Sequence, residues 1–231
     1  SHCATRYHCF AAKNYFLGRW EAGLPVARKC NASCLGCLSL QTGDTPSSHQ
    51  RIDFTPTPEQ VAEVAVYHLS QGEDPMVSFG QGCEGEPLTE WRLIAESIKL
   101  IRAQTDRGTI HLNTNGSLPE AVNPLAEAGL DSVRVSLNSA RKLNYEAYFR
   151  PEEYTFEDVR AFIRQAKAAG LFVHINYLIF PGVSDTLPEI EALVRMVSEE
   201  GGDLVQLKNL NIDPEIYLNE MLVESRPLGM R

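Results

Sequence analysis

From about residue 25 onward, short apolar runs alternate with amphipathic stretches of helical length. Residues 24–28, 76–79, 109–113, 132–137, 171–179 and 204–207 read as six strands bounded by turn residues. Between them the pattern predicts helices over 58–71, 90–104, 117–129, from 155, and over 186–201, with a last helix over 213–222. Several of these carry start and stop signals. Thr57 with Pro58 and Gln60 reads as a capping box, as do Ser117 with Glu120, Thr155 with Asp158 and Thr186 with Glu189, while Gly72, Gly129 and Gly201 close helices. Phe156, Val159, Phe162 and Ile163 mark the buried side of the helix from 155. Six strand-then-helix units without a hairpin signal imply an α/β protein with a parallel sheet and right-handed crossovers. An open doubly wound sheet and an incomplete barrel share this pattern.

Polar positions inside the strands narrow that choice. Parallel strands covered on both faces are apolar throughout, and several here are not. His111, Asn113 and Asn115 alternate with Ile110 and Leu112, and Arg134, Ser136 and Asn138 with Val133, Val135 and Leu137. His174 and Asn176 alternate with Val173 and Ile175, and Gln206 and Lys208 with Val205 and Leu207. Period two places each polar set on one face, which suits a barrel with a wet, ligand-binding interior; a few hydrogen-bonded core polars are the plainer reading. The expected organisation is an N-terminal extension over 1–23, a barrel core over 24–210 and a C-terminal segment over 211–231.

Composition sets the surroundings. The chain has 231 residues and a formal net charge of −9, with a pI near 5.2. A length of this order buries a core without disulfide staples, and an acidic balance argues against nucleic acid as a partner. No apolar run is long enough to span a membrane, and the opening residues lack the apolar core of a signal peptide. A cytoplasmic, reducing setting is the expectation, in which cysteines act first as metal ligands or reactive thiols.

Six cysteines are present, three of them in Cys30-Asn31-Ala32-Ser33-Cys34-Leu35-Gly36-Cys37. Three thiolates in a glycine-containing loop after a strand can converge on one centre. A cubane iron–sulfur cluster takes four thiolates, so three leave one iron open to another ligand. A structural zinc site would want four closed ligands, usually as two separated pairs, and no second pair follows.

The Cys-x3-Cys-x2-Cys spacing after a first strand resembles the signature of the radical S-adenosylmethionine (SAM) superfamily, whose members build partial (β/α)6 barrels of parallel strands. The resemblance covers about residues 24–210. It implies that Cys30, Cys34 and Cys37 hold a [4Fe–4S] cluster. Gly85, Glu86 and Pro87 resemble the family's Gly-Gly-Glu-Pro motif for the methionyl amine, with Glu84 in place of the first glycine. Thr114-Asn115-Gly116 resembles a segment common in these barrels. Ser136 and Asn138 fall where the family places contacts to the ribose and carboxylate, residues 178–182 where backbone flanks the adenine, and Gln206 where the sixth strand completes that pocket. Gly36 is a second departure: the family often has an aromatic before the third cluster cysteine, so that contact comes from elsewhere, from Tyr177 or Phe180 if these are not core aromatics.

The resemblance implies an enzyme that reductively cleaves SAM to a 5′-deoxyadenosyl radical, which abstracts hydrogen from a substrate. The substrate is a small molecule, a peptide or a protein, and the electron comes from a one-electron donor such as flavodoxin or ferredoxin. A non-catalytic iron–sulfur protein for electron transfer or sensing is the alternative. Cys83, in Gly80-Gln81-Gly82-Cys83-Glu84, is either a functional thiol at the site, catalytic or ligating, or an inert buried one. Cys3 and Cys9, beside His2 and His8, are either surface thiols or ligands of a second centre with Cys83 as a distant partner. Residues 141–150 read as a charged, aromatic cover of the barrel mouth or a solvated connection, and Lys208 as a substrate contact or a surface charge. His49 gives no specific signal.

Overall fold

The computed structural model describes residues 1–40, 47, 50–210 and 212–229, so His49 and Asn211 lie outside the described residues. Six strands form one parallel sheet in sequence order: β1 (Glu21–Gly23), β2 (Met76–Phe79), β3 (Thr109–Thr114), β4 (Ser132–Leu137), β5 (Phe172–Ile179) and β6 (Leu204–Asn209). Each pairs in parallel with the next, and no pairing joins β6 back to β1 among the described residues. The architecture is the expected partial (β/α)6 barrel, open along one side.

Period two explains the layering. Val77, Phe79, Ile110, Leu112, Val133, Val135, Leu137, Val173 and Ile175 point out of the barrel and are buried under the helices. Those helices are α3 (Pro58–Ser70), α4 (Trp91–Arg102), α5 (Val122–Ala128), α7 (Phe156–Ala168) and α8 (Leu187–Glu200). The opposite parity holds the polar set. Asn113 lies in register with Arg134 and His174, and Ser136 with Asn176 and Gln206. Burying the outward set is the main stabilising term, at roughly 1.5–3 kcal/mol for each large aliphatic side chain.

Caps formed where the side chain had nothing better to bind. Thr57 accepts from Gln60 N at 3.3 Å and Gln60 returns the bond, and Thr155 with Asp158 does the same. The two other expected boxes are corrected. Ser117 is buried, and its Oγ accepts from Asn31 Nδ2 at 2.8 Å, so α5 starts later through a 3-10 turn over Pro119–Ala121. Thr186 donates to Val183 O, and Glu189 is buried as an acceptor for Ser139 and Asn144.

Three further corrections concern the site. The first strand is Glu21–Gly23, inside the segment read as an extension. Residues 24–28 run on outside the strand: after the Leu24 N to Ser78 O bond, Val26 N and Ala27 N turn to the Glu84 side chain, and Arg28 is exposed. The N-terminal segment itself carries α1 (His2–Thr5) and α2 (Phe10–Leu17), the second packed on β1 with Asn14 Nδ2 donating to Glu21 O at 3.1 Å. Residues read as a cover or connection form α6 (Lys142–Phe149), whose Tyr145, Tyr148 and Phe149 are buried. The last helix, α9 (Pro214–Glu220), is capped by Asp213.

Candidate active site

The cysteine loop is pinned from both sides before any ligand is considered. On one side, Ser33 N and Leu35 N donate to Phe149 O and Tyr148 O at the end of α6, at 3.2 and 2.9 Å. Ala32 bridges to Pro151, and Glu152 N donates to Asn31 O at 2.8 Å. On the other side, Gly85 N donates to Ala27 O at 2.7 Å and Glu86 N to Lys29 O at 2.9 Å.

Glu84 is the strongest tie. One carboxylate oxygen accepts from Val26 N and Ala27 N at 2.7 and 2.9 Å. The other accepts from Gly80 N and Gln81 N at 2.7 and 2.8 Å. Four backbone donors of two loops thus share one side chain that is 4% exposed. Burial pushes the Glu84 carboxyl up from its ordinary range, and the four donors pull against that shift. The residue that departs from the family motif is the clamp between the cysteine loop and that motif.

Gly85 has no alternative. A Cβ there would stand 1.8 Å from Lys29 O, so only glycine lets the two backbones meet. Glu86 is buried beside it. Its Oε1 accepts from Thr114 Oγ1 at 2.5 Å and Leu88 N at 3.0 Å, and its Oε2 from Asn115 N at 2.8 Å. Burial raises the Glu86 carboxyl to about 7 against these donors. Asn115 is held by Asn31, its Nδ2 donating to Asn31 Oδ1 at 2.8 Å.

These groups surround one cavity of about 170 Å³, whose wall includes Cys30, Cys34, Gly85, Glu86, Asn115 and Ser136, with Pro87 beside them. Cys37 lies next to it, its sulfur 3.7 Å from Ser39 Oγ and 4.0 Å from the Arg51 guanidinium. Burial, and then the neighbouring thiols, push Cys34 well above the usual thiol range, while Cys30 rises through burial and then Glu86. Bare thiolates are costly here, and a metal centre supplies the charge that holds them ionised. Among the described residues no three His, Cys, Asp or Glu side chains close on a point suited to a single ion. Cys30 and Cys34 line the cavity and Cys37 lies close enough to act on both thiols, a three-sulfur donor set of the kind an iron–sulfur cluster takes.

The remaining sequence candidates separate. Ser136 faces the cavity, and Asn176 Nδ2 reaches its Oγ at 3.5 Å. Asn176 Oδ1 is buried with no protein partner, an acceptor aimed into the barrel that the sequence reading named only as part of a polar face. Asn138 turns away, its Nδ2 reaching Asn144 O at 3.1 Å and Tyr217 Oη at 3.3 Å. Tyr177 shares the outward parity of Val173 and Ile175 and packs against α8, its hydroxyl 3.4 Å from Glu189. Gln206 is exposed on β6. Phe180 packs on Tyr217 at 4.6 Å. The space beside Gly36 is filled by Tyr148, whose hydroxyl lies 2.7 Å from where a Cβ would stand. Cys83 lines a different cavity, and burial followed by Glu84 pushes its thiol up to about 11.

A parallel β/α partial barrel with a three-cysteine loop at the carboxyl end of its sheet, facing a polar interior, defines a class of cluster-dependent enzymes. The chain belongs to the radical SAM superfamily, whose family model matches residues 24–197. Members of this family use a [4Fe–4S] cluster and SAM. It is 29% identical over 177 residues to the FeMo cofactor biosynthesis protein NifB of Klebsiella pneumoniae, covering 71% of this chain and 38% of that protein. It is also 29% identical over 178 residues to the GTP 3′,8-cyclase of Chlorobaculum tepidum, covering 76% of this chain and 49% of that one. The chain thus spans about half or less of these two relatives. Among solved structures, native anSMEcpe with bound AdoMet aligns with a TM-score of 0.59 at 17% identity, over 83% of this chain and 52% of that one. Streptococcus suis SuiB bound to its precursor peptide SuiA aligns with a TM-score of 0.59 at 15% identity, over 83% of this chain and 40% of that one. These two show the shared fold. No helix among the described residues is long and apolar enough to cross a membrane.

Proposed function

We propose that Cys30, Cys34 and Cys37 hold a [4Fe–4S] cluster and that the adjoining cavity binds SAM for reductive cleavage. The observation that carries this is the convergence on one cavity of Cys30 and Cys34 with Gly85, Glu86, Asn115 and Ser136. When bound, the reduced cluster supplies one electron to the sulfonium of SAM, giving methionine and a 5′-deoxyadenosyl radical that takes hydrogen from substrate.

The chain's own residues bind, orient and shield. The Gly85–Glu86 edge receives the methionyl amine, with Glu86 held by Thr114 and Asn115 so that its carboxylate need not reorganise. Ser136 and Asn176 meet the ribose, the second through its unpartnered Oδ1. Tyr148 takes the aromatic role that Gly36 vacates. Asn138 and Tyr177 brace the wall from behind, and exposed Gln206 and Lys208 flank the open side where substrate enters. The electron donor is a flavodoxin or ferredoxin, and the hydrogen donor a small molecule, a peptide or a protein.

Anaerobic reconstitution with iron and sulfide, then dithionite and SAM, tests this. We expect 5′-deoxyadenosine from the wild-type chain and none from Cys30→Ala, Cys34→Ala or Cys37→Ala. Iron bound at about four or more per chain without 5′-deoxyadenosine would refute it.

A further inference from the structure

Three cysteines outside the cofactor site meet in the fold. Cys3 lies in α1 and Cys9 at the start of α2, and Cys9 N donates to Cys3 O at 3.0 Å, which holds the two together. Helix α2 is fixed beside β1 and α3: Tyr15 stacks on His68 at 6.1 Å and packs against Tyr67 at 5.5 Å, both on α3. That placement brings Cys3 and Cys9 over the loop after β2, where Cys83 waits. All three line one cavity of about 300 Å³, whose walls are otherwise largely apolar, with Tyr15, Phe16, Pro25 and Val64 among them.

Three features say what this cavity takes. Cys3, Cys9 and Cys83 are free thiols on one cavity, Cys9 and Cys83 half-buried and Cys3 exposed. At about 300 Å³ the cavity is far larger than a single ion needs. Three sulfurs around one cavity, with no histidine or carboxylate beside them in its lining, are the donor chemistry an iron–sulfur cluster takes. A closed tetrahedral zinc site would need a fourth ligand that does not line the cavity.

We propose that Cys3, Cys9 and Cys83 hold a second iron–sulfur cluster, distinct from that of Cys30, Cys34 and Cys37. Three thiolates for a cube that takes four leave one iron for a ligand from outside this set, either a substrate donor atom or another part of the protein. Gln81 lines both cavities, so a group bound at the second centre lies one side chain away from the cofactor cavity. The N-terminal segment is thereby a functional wall of the barrel. A substrate carrying a nitrogen, oxygen or sulfur donor is the chemistry such an open iron would fix.

Iron and sulfide counting tests this on the full chain after anaerobic reconstitution. We expect about eight irons per wild-type chain, and about four in the Cys30→Ala/Cys34→Ala/Cys37→Ala variant, which should still give the electron paramagnetic resonance signal of a reduced [4Fe–4S] cluster. Cys3→Ala/Cys9→Ala, which leaves every barrel strand intact, should also fall to about four. The proposal is overturned if the variant lacking Cys30, Cys34 and Cys37 binds no iron while its circular dichroism matches the wild type, or if one zinc per chain binds instead. A failure of SAM cleavage alone would strike the reading of the first site and leave these counts unchanged.

Discussion

Replacing Glu84 by Gln removes an acceptor without changing the shape of the side chain. The carboxylate now serves Val26 N and Ala27 N with one oxygen and Gly80 N and Gln81 N with the other, all within 2.9 Å. An amide keeps one acceptor and turns an NH2 group toward the other pair. Two buried N–H groups then lose their partner, at about 1–3 kcal/mol each, so the expected cost is about 2–6 kcal/mol. Glu84→Ala strands all four, and its expected cost of about 4–12 kcal/mol approaches the whole stability of a domain, about 5–15 kcal/mol. Guanidinium unfolding of the cluster-free protein, followed by far-ultraviolet circular dichroism and extrapolated to water, measures the difference. A Glu84→Gln variant within about 0.5 kcal/mol of wild type would mean that water satisfies these donors and that the clamp does not hold the loops.

The other expectations follow from single contacts. Gly85→Ala puts a Cβ 1.8 Å from Lys29 O and should lower 5′-deoxyadenosine formation at least ~10-fold, about 1.4 kcal/mol in barrier; Gly82→Ala meets only Leu38 Cδ1 at 3.3 Å and should be near neutral, so equal effects would sink the backbone-approach argument. His111 is buried against Ser132, Arg134 and His174, and burial, then Arg134 and then His174, lower it to about 3. Its folded pKa lies below the unfolded value, so the unfolded chain protonates first as pH falls from about 6.5 towards 3 and stability drops through that window. At pH 5 the loss is about 2 kcal/mol at 1.36 kcal/mol per pH unit. His111→Gln should shrink the stability difference between pH 7 and pH 5 by that amount, and parallel losses in both proteins would refute the assignment.

Strand positions were legible because six apolar runs sit at the right spacing, and the polar alternation of β3 to β6 did mark the inward face. Parity alone would have turned Tyr177 outward, since it shares the phase of Val173 and Ile175. Asn138 misled because β4 ends at Leu137 and the chain then turns towards α6. Helix α6 went unread because its buried face carries Asn144 and its exposed face Leu143, so polarity does not follow burial along it. The shift of β1 has a different cause: residues 24–28 look like a strand, but Val26 and Ala27 give their N–H groups to Glu84, a partner 57 to 58 positions away that no local pattern reveals. Nor does sequence spacing show that Cys3 and Cys9 meet Cys83, because only the packing of α2 on β1 and α3 joins them.

The Glu84 clamp also bears on how the protein is loaded. With the loop of Cys30, Cys34 and Cys37 anchored at both ends to the backbone of its neighbours, the chain would spend little conformational entropy on taking up the proposed cluster. On the proposed function, a cluster lost to oxygen would leave this backbone frame in place, and its repair would be a matter of resupply and not of refolding.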